Sequence, residues 1–441
     1  MDRRHFMKKA VATGAGLAAS TSGLAAQNSG PEDRPNVVLL ISDDQAYTDF
    51  GFMGHDTIQT PNIDRLADES LCYTRGYVTT ALCCPSLATM ITGLYPHQHH
   101  VTGNDPVRNR PDGTGPEKPL KEHFAGCPRV PEMLQKKNYL SFQSGKWWLD
   151  PYSLAGFTHG MTKGGRHGGH GLDIGREGLA PVFDFMDLAR DSGNPFYLWY
   201  APFLPHQPHN PPKEMLKKYS DAGPRKKYYA MCEWFDRTCG QILDHLDETG
   251  QAENTIVLFI ADNGWPHRAD WDSRPGKGGK GSPWELGVRT PIMVRWPGRV
   301  EPTIDTRTLA SNIDLAPTVL RASGLQPTDN MHGRNLLNRT GMKERDAIFL
   351  ENYTHDMVDV DDPAASLRCR TCIRGFWKLI LWEENIPDVR RSGPPKGEAD
   401  VELYNLAEDP LETTNLVPEH PKKVKQLTEL INNWWNPHAD G

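Results

Sequence analysis

Two pairs of oxygen-bearing side chains, far apart in the sequence, could together bind a hard divalent cation. Asp43 and Asp44 form the first pair, and Asp262 and Asn263 form the second. Calcium takes roughly six to eight oxygen ligands in proteins, mainly from carboxylates and carbonyl groups. An aspartate that follows a strand also commonly caps the next helix with its side chain. The residue types alone therefore leave two interpretations open, a calcium site and a set of helix caps.

Each pair directly follows an apolar run with the character of a buried strand. The runs Asn36–Ser42 and Thr255–Ala261 are short, continuous and rich in β-branched residues, as in strands covered on both faces of a parallel sheet. Open α/β sheets bind ligands outside the carboxyl ends of such strands. We therefore expect the two pairs to lie at a ligand-binding edge.

The remaining pattern up to residue 345 predicts a doubly wound α/β fold. Apolar runs at 195–200 and 291–296 predict further strands, and apolar residues at helical spacing predict helices over 62–70, 130–137 and 229–249. Strands that alternate with helices are typical of a mostly parallel, doubly wound sheet.

From about residue 346 the pattern changes to short strands followed by one amphipathic helix. The predicted elements are strands at 347–352, 367–373, 377–382 and 402–406 and a helix over 421–435. They predict a smaller antiparallel sheet with a packing helix. We therefore expect a main domain over 35–345 and a C-terminal α+β subdomain over 346–441.

The composition is that of a globular protein without a nucleic-acid partner. The 441 residues are 37% hydrophobic and 24% charged, with a formal net charge of -7, so the balance is mildly acidic. The eight cysteines are too few for a disulfide scaffold at this length, although Cys369 and Cys372 could close a local loop.

The N-terminus resembles a twin-arginine export signal. Segment 3–8 has the pattern Arg-Arg-x-Phe-x-Lys, and the small-residue apolar stretch at 10–26 is too short to span a bilayer stably. We expect a signal peptide over 1–26, a linker over 27–34 and no membrane span in the rest of the chain. This implies a periplasmic or secreted bacterial protein.

The segment 83–93, CCPSLATMITG, resembles the signature of sulfatases. In that family the pattern is Cys-x-Pro-Ser-Arg followed by a Thr-Gly turn. A formylglycine-generating enzyme oxidises the cysteine, and the hydrate of the resulting formylglycine is the nucleophile. The resemblance therefore implies that Cys83 is the formylglycine precursor.

Matches to sulfatases continue in the family's order over nearly the whole chain after residue 34. Besides the two strand-end pairs, the matching segments are 92–97, 145–147, 205–208, 280–282, 287–291 and 402–410. So many ordered matches make the resemblance specific. It implies an alkaline-phosphatase-like fold and the hydrolysis of sulfate esters, in exported bacterial members commonly those of sulfated glycans.

The resemblance also implies roles for the candidate site residues. The two strand-end pairs would be the calcium ligands, and Cys83 would approach the ion. Lys146, His206 and Lys280 would hold the sulfate oxygens or protonate the leaving alcohol. Cationic groups suit the negative charge on the non-bridging oxygens of a sulfate ester, and a histidine can donate a proton near neutral pH.

Two residues depart from the family pattern, and both concern the nucleophile. Leu87 stands where sulfatases have an arginine that orders the hydrate, and Trp148 stands where they have a histidine that bonds to it. Leucine has no polar side-chain group and indole is a donor only, so neither can act as a base. Three hypotheses follow: a sulfatase, a non-catalytic binder of sulfated glycans, and a phosphodiesterase or phosphonate hydrolase of the same superfamily.

Other residues near these motifs could contribute to the site. His97, His99 or His100 could point inward and compensate, or they could form a surface cluster. Cys84 is expected to be a buried small hydrophobe and not a second nucleophile. Aromatic and polar neighbours suit either a sugar ring or core packing, and these are Trp147, Trp148, Trp265, Trp271, Trp284, His267, Arg268 and Asp270.

Overall fold

A computed structural model describes most of the chain after the predicted signal peptide. The described residues are 34–106, 117–149, 151–163, 166–266, 277–386, 396–397 and 399–438. The predicted signal peptide and residues 27–33 of the linker lie outside them, as do Trp271, His267, Arg268 and Asp270. Among the helices of the described ranges, we find none with the length and hydrophobicity of a bilayer-spanning segment.

The described residues contain fifteen strands. They are β1 (Asn36–Ser42), β2 (Leu71–Tyr77), β3 (Asp105–Pro106), β4 (Leu140–Gly145), β5 (His159–Gly160), β6 (Phe196–Ala201), β7 (Thr255–Ala261), β8 (Arg289–Arg295), β9 (Thr303–Asp305), β10 (Ala310–Ser311), β11 (Ala347–Tyr353), β12 (Asp356–Met357), β13 (Leu367–Arg374), β14 (Trp377–Trp382) and β15 (Val401–Asn405).

The same part of the chain contains twelve α-helices. They are α1 (Pro61–Asp68), α2 (Cys83–Thr92), α3 (Pro96–His99), α4 (Glu117–Gly126), α5 (Val130–Gln135), α6 (Ala180–Asp191), α7 (Lys213–Lys218), α8 (Lys226–Glu248), α9 (Glu285–Val288), α10 (Leu315–Ala322), α11 (Arg339–Lys343) and α12 (Pro421–Trp434). Short 3-10 helices lie at Gly51–Met53, Tyr152–Ala155, Arg166–Asp173, Ser220–Arg225, Ala252–Asn254, Asn312–Asp314 and Pro363–Ser366.

A mostly parallel sheet forms the centre of the fold. Its strand order is β10-β2-β8-β7-β1-β6-β4-β5, and β9 also pairs with β2. The strand β8 runs antiparallel to both of its neighbours, β2 and β7, and the other pairs are parallel. The predicted doubly wound sheet is therefore confirmed. The strand predicted at 291–296 is β8, whose antiparallel direction the sequence did not predict.

The central strands β1 and β7 are largely apolar because both faces of the sheet are covered. Along β1, Val37, Leu39 and Ile41 belong to one buried cluster, whereas Val38 and Leu40 belong to another on the opposite face. Alternate side chains of a strand point to opposite faces, so a strand covered on both faces favours a nearly continuous apolar run. This is the physical basis of the strand predictions at β1 and β7.

A second sheet, entirely antiparallel, follows in the order β11-β13-β14-β15. One of its faces packs on α12, and the other face joins the main core. The expected small sheet with its packing helix is therefore confirmed. The described residues from 34 onward form one compact unit, and the domain boundary after 345 stays a prediction.

The cysteines of β13 do not form the local loop that their spacing suggested. Cys369 faces the main core, whereas Cys372 faces α12. Residues three apart on a strand lie on opposite faces, so the two sulfur atoms point away from each other. All eight cysteines have free thiols.

Candidate active site

The two strand-end pairs meet at one edge of the main sheet. Strands β1 and β7 are parallel neighbours, and Ser42 pairs with Ala261 at their carboxyl ends. The backbone N–H of Asp44 consequently donates to Asp262 Oδ1 at 3.0 Å. Asp44 has a φ of 62°, a left-handed conformation that aspartate tolerates better than most residues. The expectation that the pairs share an edge is met.

Strand β4 supplies Lys146 to the same edge. The lysine follows Gly145, whose φ is 89° and whose added Cβ would lie 2.0 Å from the carbonyl oxygen of Ala201. Only glycine fits this close approach. The backbone N–H of Lys146 donates to the same carbonyl at 2.6 Å, so the end of β6 fixes the point at which the lysine leaves the sheet.

Helix α2 supplies Cys83 in its first turn. The Cys83 Sγ lies 3.5 Å from Asp44 Oδ1 and 3.8 Å from Asp43 Oδ1. Lys280 Nζ lies 2.7 Å from the same sulfur. The backbone N–H of Gly281 donates to Ala81 at 2.8 Å, which ties the lysine segment to the chain just before the helix.

The donor set of this edge fits a hard cation. Ligand atoms of Asp43, Asp44, Cys83 and Asp262 all lie within 4.8 Å of one another and are buried; these four residues are called the acidic cluster below. Three buried oxygens at this edge have no hydrogen-bond partner, namely Asp43 Oδ2, Asp262 Oδ2 and Asn263 Oδ1. Buried polar atoms are normally satisfied, and coordination to a cation would satisfy all three.

Two buried lysines pair with the acidic cluster. Lys146 Nζ lies 2.7 Å from Asp43 Oδ1, and Lys280 Nζ lies 2.5 Å from Asp44 Oδ1. Burial opposes the charge of each ammonium group, but the neighbouring carboxylates outweigh it and raise the pKa of both lysines. Three carboxyl groups against two ammonium groups leave one excess acidic group in the interior.

The acidic groups respond differently to this environment. Burial acts to raise the pKa of Asp44, but Lys280, His206 and Lys146 outweigh it and hold that pKa well below its usual range. Burial and the nearby Asp43 raise the pKa of Asp262 well above its usual value. Asp262 therefore takes up a proton more readily than Asp44 when no cation is bound.

His206 faces the acidic cluster from the loop after β6. Its Nε2 lies 3.5 Å from Asp44 Oδ2, and its Nδ1 contacts the carbonyl oxygen of Gln207 at 2.7 Å. Because a carbonyl only accepts, Nδ1 carries a proton and Nε2 is the nitrogen turned toward the site. The ring stacks on Phe203 with 4.1 Å between centroids. Burial lowers the pKa of His206, although Asp43 and Asp44 oppose the shift.

The two departures from the family pattern are packing residues in this fold. Leu87 is fully buried in the main apolar cluster. Trp148 packs against the same cluster with its ring centroid 4.9 Å from that of Trp147, and its indole N–H is buried without a hydrogen-bond partner.

The three candidate compensating histidines are engaged with other groups. His97 bonds to Glu351, and His100 stacks on His123 with 4.0 Å between centroids. His99 is fully buried and bonds to Thr89 Oγ1 at 3.1 Å. These contacts make His99 a core residue, which neither sequence-based alternative anticipated.

Most of the other residues predicted to lie near the site pack in the core. Cys84 is buried in the main cluster, as expected. Trp147, Trp265 and Trp284 are buried. Trp265 stacks on Tyr228 with 3.9 Å between centroids. Core packing is therefore the better interpretation for these three tryptophans.

Sequence reasoning missed a chain of contacts behind helix α2. The backbone N–H of Cys84 donates to Asn104 Oδ1 at 2.9 Å, and Asn104 Nδ2 lies 3.2 Å from His355 Nε2. His355 Nδ1 in turn lies 2.7 Å from Asp356 Oδ1. Asn104 and His355 are 251 positions apart, so no local pattern could have revealed the contact.

Comparisons with known proteins agree with this geometry. Residues 35–325 match the family model described as Sulfatase, and residues 280–436 match the model described as N-sulphoglucosamine sulphohydrolase, C-terminal. Arylsulfatase A of Homo sapiens is 28% identical over 475 residues, covering 90% of this chain and 87% of the relative. N-acetylgalactosamine-6-O-sulfatase of Bacteroides thetaiotaomicron is 23% identical over 504 residues, covering 91% and 93%.

Solved structures share the fold at lower identity. A protein solved in complex with its substrate D-glucosamine-2-N,6-O-disulfate has a TM-score of 0.71 and 19% identity, covering 92% of this chain and 99% of that one. The phosphonate monoester hydrolase of Agrobacterium radiobacter has a TM-score of 0.66 and 18% identity, covering 91% and 95%. At these identities the likeness establishes the fold alone.

Proposed function

We propose, since the chain belongs to the sulfatase family of sulfuric ester hydrolases, that its substrate is a sulfated carbohydrate, that Cys83 is converted to formylglycine and that the acidic cluster binds calcium. The observation that carries the proposal is the position of Cys83. Its sulfur lies within 3.8 Å of two strand-end aspartates and 2.7 Å from Lys280. The names of the relatives support a sulfated sugar, since one of them is an N-acetylgalactosamine-6-O-sulfatase.

Calcium would be held by Asp43, Asp44, Asp262 and Asn263, with the side chain at position 83 beside it. The support is the set of unpartnered buried oxygens at this edge and the excess acidic group. When bound, the ion would neutralise the negative charge of the carboxylates, and the formylglycine would supply the nucleophile.

The lysines bind and orient the sulfate group in this proposal. Lys146 and Lys280 are both buried and charged, so their ammonium groups can donate to sulfate oxygens in a site with little competing water. Pre-positioned charges of this kind stabilise the transition state because they need not reorganise as the reaction proceeds.

His206 supplies the proton for the leaving group. A sugar alkoxide is a poor leaving group, so its oxygen needs a proton as the S–O bond breaks. Nδ1 keeps its proton on the carbonyl oxygen of Gln207 at 2.7 Å, so the site-facing Nε2 delivers a proton from the doubly protonated ring, the form that Asp43 and Asp44 favour.

Mass spectrometry of the peptide that contains Cys83, from protein made in the native host, tests the modification. Sulfate release from a panel of sulfated mono- and oligosaccharides tests the activity. We expect a thiol-to-aldehyde mass change together with sulfate release. An unmodified cysteine, with binding of sulfated sugars but no release, would support the glycan-binder alternative that the packing of Leu87 and Trp148 favours. Faster hydrolysis of phosphonate esters would support the phosphonate hydrolase alternative.

Export through the twin-arginine route is part of the proposal. Its support is the arginine pair and the apolar stretch within residues 1–26. Sequencing the N-terminus of the periplasmic form tests it, and the expected start is close to residue 27.

A further inference from the structure

Arg176 contacts the loop that carries His206 at four points. Its Nη1 donates to the carbonyl oxygen of Pro208 at 3.0 Å and to the side chain of Asn210. Its Nη2 donates to the carbonyl oxygen of His206 at 3.0 Å and to that of Phe203. One guanidinium group therefore bonds to the backbone on both sides of the histidine.

The loop has little regular structure of its own to hold it. Among the described residues, 202–212 contain no helix or strand. Phe203, at the start of this loop, carries the ring on which the imidazole of His206 stacks. The guanidinium carbon of Arg176 lies 6.0 Å from the centroid of that same ring. Arg176 thus contacts the loop backbone and also the ring that supports the histidine.

Arg176 is itself held by a tight turn. Its backbone N–H donates to Asp173 at 3.1 Å, and the N–H of Gly175 donates to Gly178 at 3.0 Å. Gly175 has a φ of 79°, and a Cβ there would lie 2.8 Å from the hydroxyl of Tyr200. The turn fixes the backbone of Arg176. Its guanidinium group is a rigid, planar set of donors, and lysine cannot reproduce that arrangement.

We propose that Arg176 is a positioning residue that holds His206 where it can protonate the leaving alcohol. The inference rests on the proposed function of His206. Misplacement of a catalytic group by about 1 Å can cost on the order of 100-fold in rate. The loss should depend on the leaving group, because only a poor leaving group needs the proton.

The test compares kcat for esters with good and poor leaving groups. The good one is 4-nitrophenyl sulfate, and the poor ones are phenyl sulfate and the sugar sulfate that the wild-type protein hydrolyses fastest. For Arg176→Ala we expect kcat on the poor leaving groups to fall by roughly 30- to 100-fold and kcat on 4-nitrophenyl sulfate to fall less than about threefold. Arg190→Ala, at an exposed arginine paired with Asp187 and Asp191, is the matched control and should change neither value.

Two further measurements separate positioning from a general structural role. Guanidinium added far below denaturing concentrations should partly restore Arg176→Ala but not His206→Ala. In the His206→Ala background, the additional loss from Arg176→Ala should nearly vanish, because residues that act as a unit are not additive. If Arg176→Ala does not fold, Arg176→Lys takes its place. Lysine keeps the positive charge but lacks the planar guanidinium group that bonds to several carbonyl oxygens at once.

Each outcome decides the inference. Equal losses on good and poor leaving groups, or additive losses with His206→Ala, would overturn it and favour a role in binding the anion. A wild-type protein that hydrolyses no sulfate ester would reject the proposed function and the inference with it. An active wild-type protein with an unchanged Arg176→Ala variant would reject this inference alone.

Discussion

Cys83 and Cys84 are neighbours in the sequence but lie in different surroundings. Cys83 faces Lys280 and the aspartates, whereas Cys84 is buried in the apolar cluster. We predict that Cys83→Ala abolishes sulfate release without unfolding the protein, and that Cys84→Ala keeps most of the activity at a stability cost of about 1 kcal/mol. Sulfate release and urea unfolding of both variants measure this. Equal loss of activity in both would contradict the assignment of the nucleophile.

Leu87 shows where family resemblance and packing disagree. The family pattern favours an arginine at this position, but Leu87 is fully buried among apolar side chains. We predict that Leu87→Arg lowers the free energy of unfolding by about 3–5 kcal/mol, because a guanidinium group would be buried without a partner. Leu87→Met, which keeps volume and polarity, should cost less than about 1.5 kcal/mol. A stable Leu87→Arg variant with faster turnover would show that the side chain can reach the nucleophile.

His99 makes the stability of the protein sensitive to acid. Val101 N–H donates to its Nδ1 at 3.1 Å, so Nδ1 is unprotonated and Nε2 is the donor to Thr89. Burial lowers the pKa of His99 to about 3, against about 6.5 in an unfolded chain. The folded state therefore binds fewer protons, and its stability falls as the pH drops below about 6.5.

We predict that His99 accounts for about 2 kcal/mol of the stability lost between pH 7 and pH 5. Urea unfolding at both pH values should show a smaller loss for His99→Gln than for the wild-type protein. The same pH dependence in both proteins would mean that other groups cause the acid sensitivity.

The elements that could be predicted are those whose pattern is set by burial alone. β1 and β7 were predicted at their observed bounds because both of their faces are covered. β4 was not predicted, because Ser141, Gln143 and Ser144 interrupt its apolar pattern while their side chains form buried hydrogen bonds. The antiparallel direction of β8 depends on its neighbours in the sheet and cannot be predicted from its own residues.

The small sheet supports the segment that carries Lys280. Glu402 of β15 accepts hydrogen bonds from the indole N–H groups of Trp284 and Trp382, each at 2.9 Å, and from the hydroxyl of Tyr404. Lys277 Nζ lies 3.3 Å from that hydroxyl. The position of Lys280 therefore depends on contacts more than 100 residues away in the sequence.

We predict that Glu402→Gln destabilises the protein by about 2 kcal/mol and lowers kcat for sulfate release. An amide can accept at only one of the two positions, so one buried donor loses its partner. Urea unfolding and kcat measure the two effects, and Glu408→Gln at an exposed position is the control. Unchanged kcat in a destabilised variant would mean that Lys280 is positioned without the small sheet.

At the scale of the whole molecule, the acidic cluster couples ion binding to folding. Asp43, Asp44 and Asp262 converge on one point only in the folded chain, so calcium would bind the folded state in preference to the unfolded state. We predict that calcium raises the melting temperature, that chelation lowers it, and that Asp262→Asn weakens both effects. Thermal unfolding during a calcium titration, with metal analysis of the protein as purified, measures this. No shift, and no metal bound at the start, would rule out calcium at this edge.

The burial of Cys83 has a consequence for the order in which the proposed oxidation, folding and export would occur. The residue is 1% exposed, and Lys280 Nζ lies 2.7 Å from its sulfur. A maturing enzyme has no access to that thiol once the sheet and α2 have come together. If Cys83 is converted to formylglycine as proposed, its oxidation would therefore precede the folding of this part of the chain. The proposed twin-arginine export would follow folding, so a molecule that folded before oxidation would be exported with an unmodified thiol.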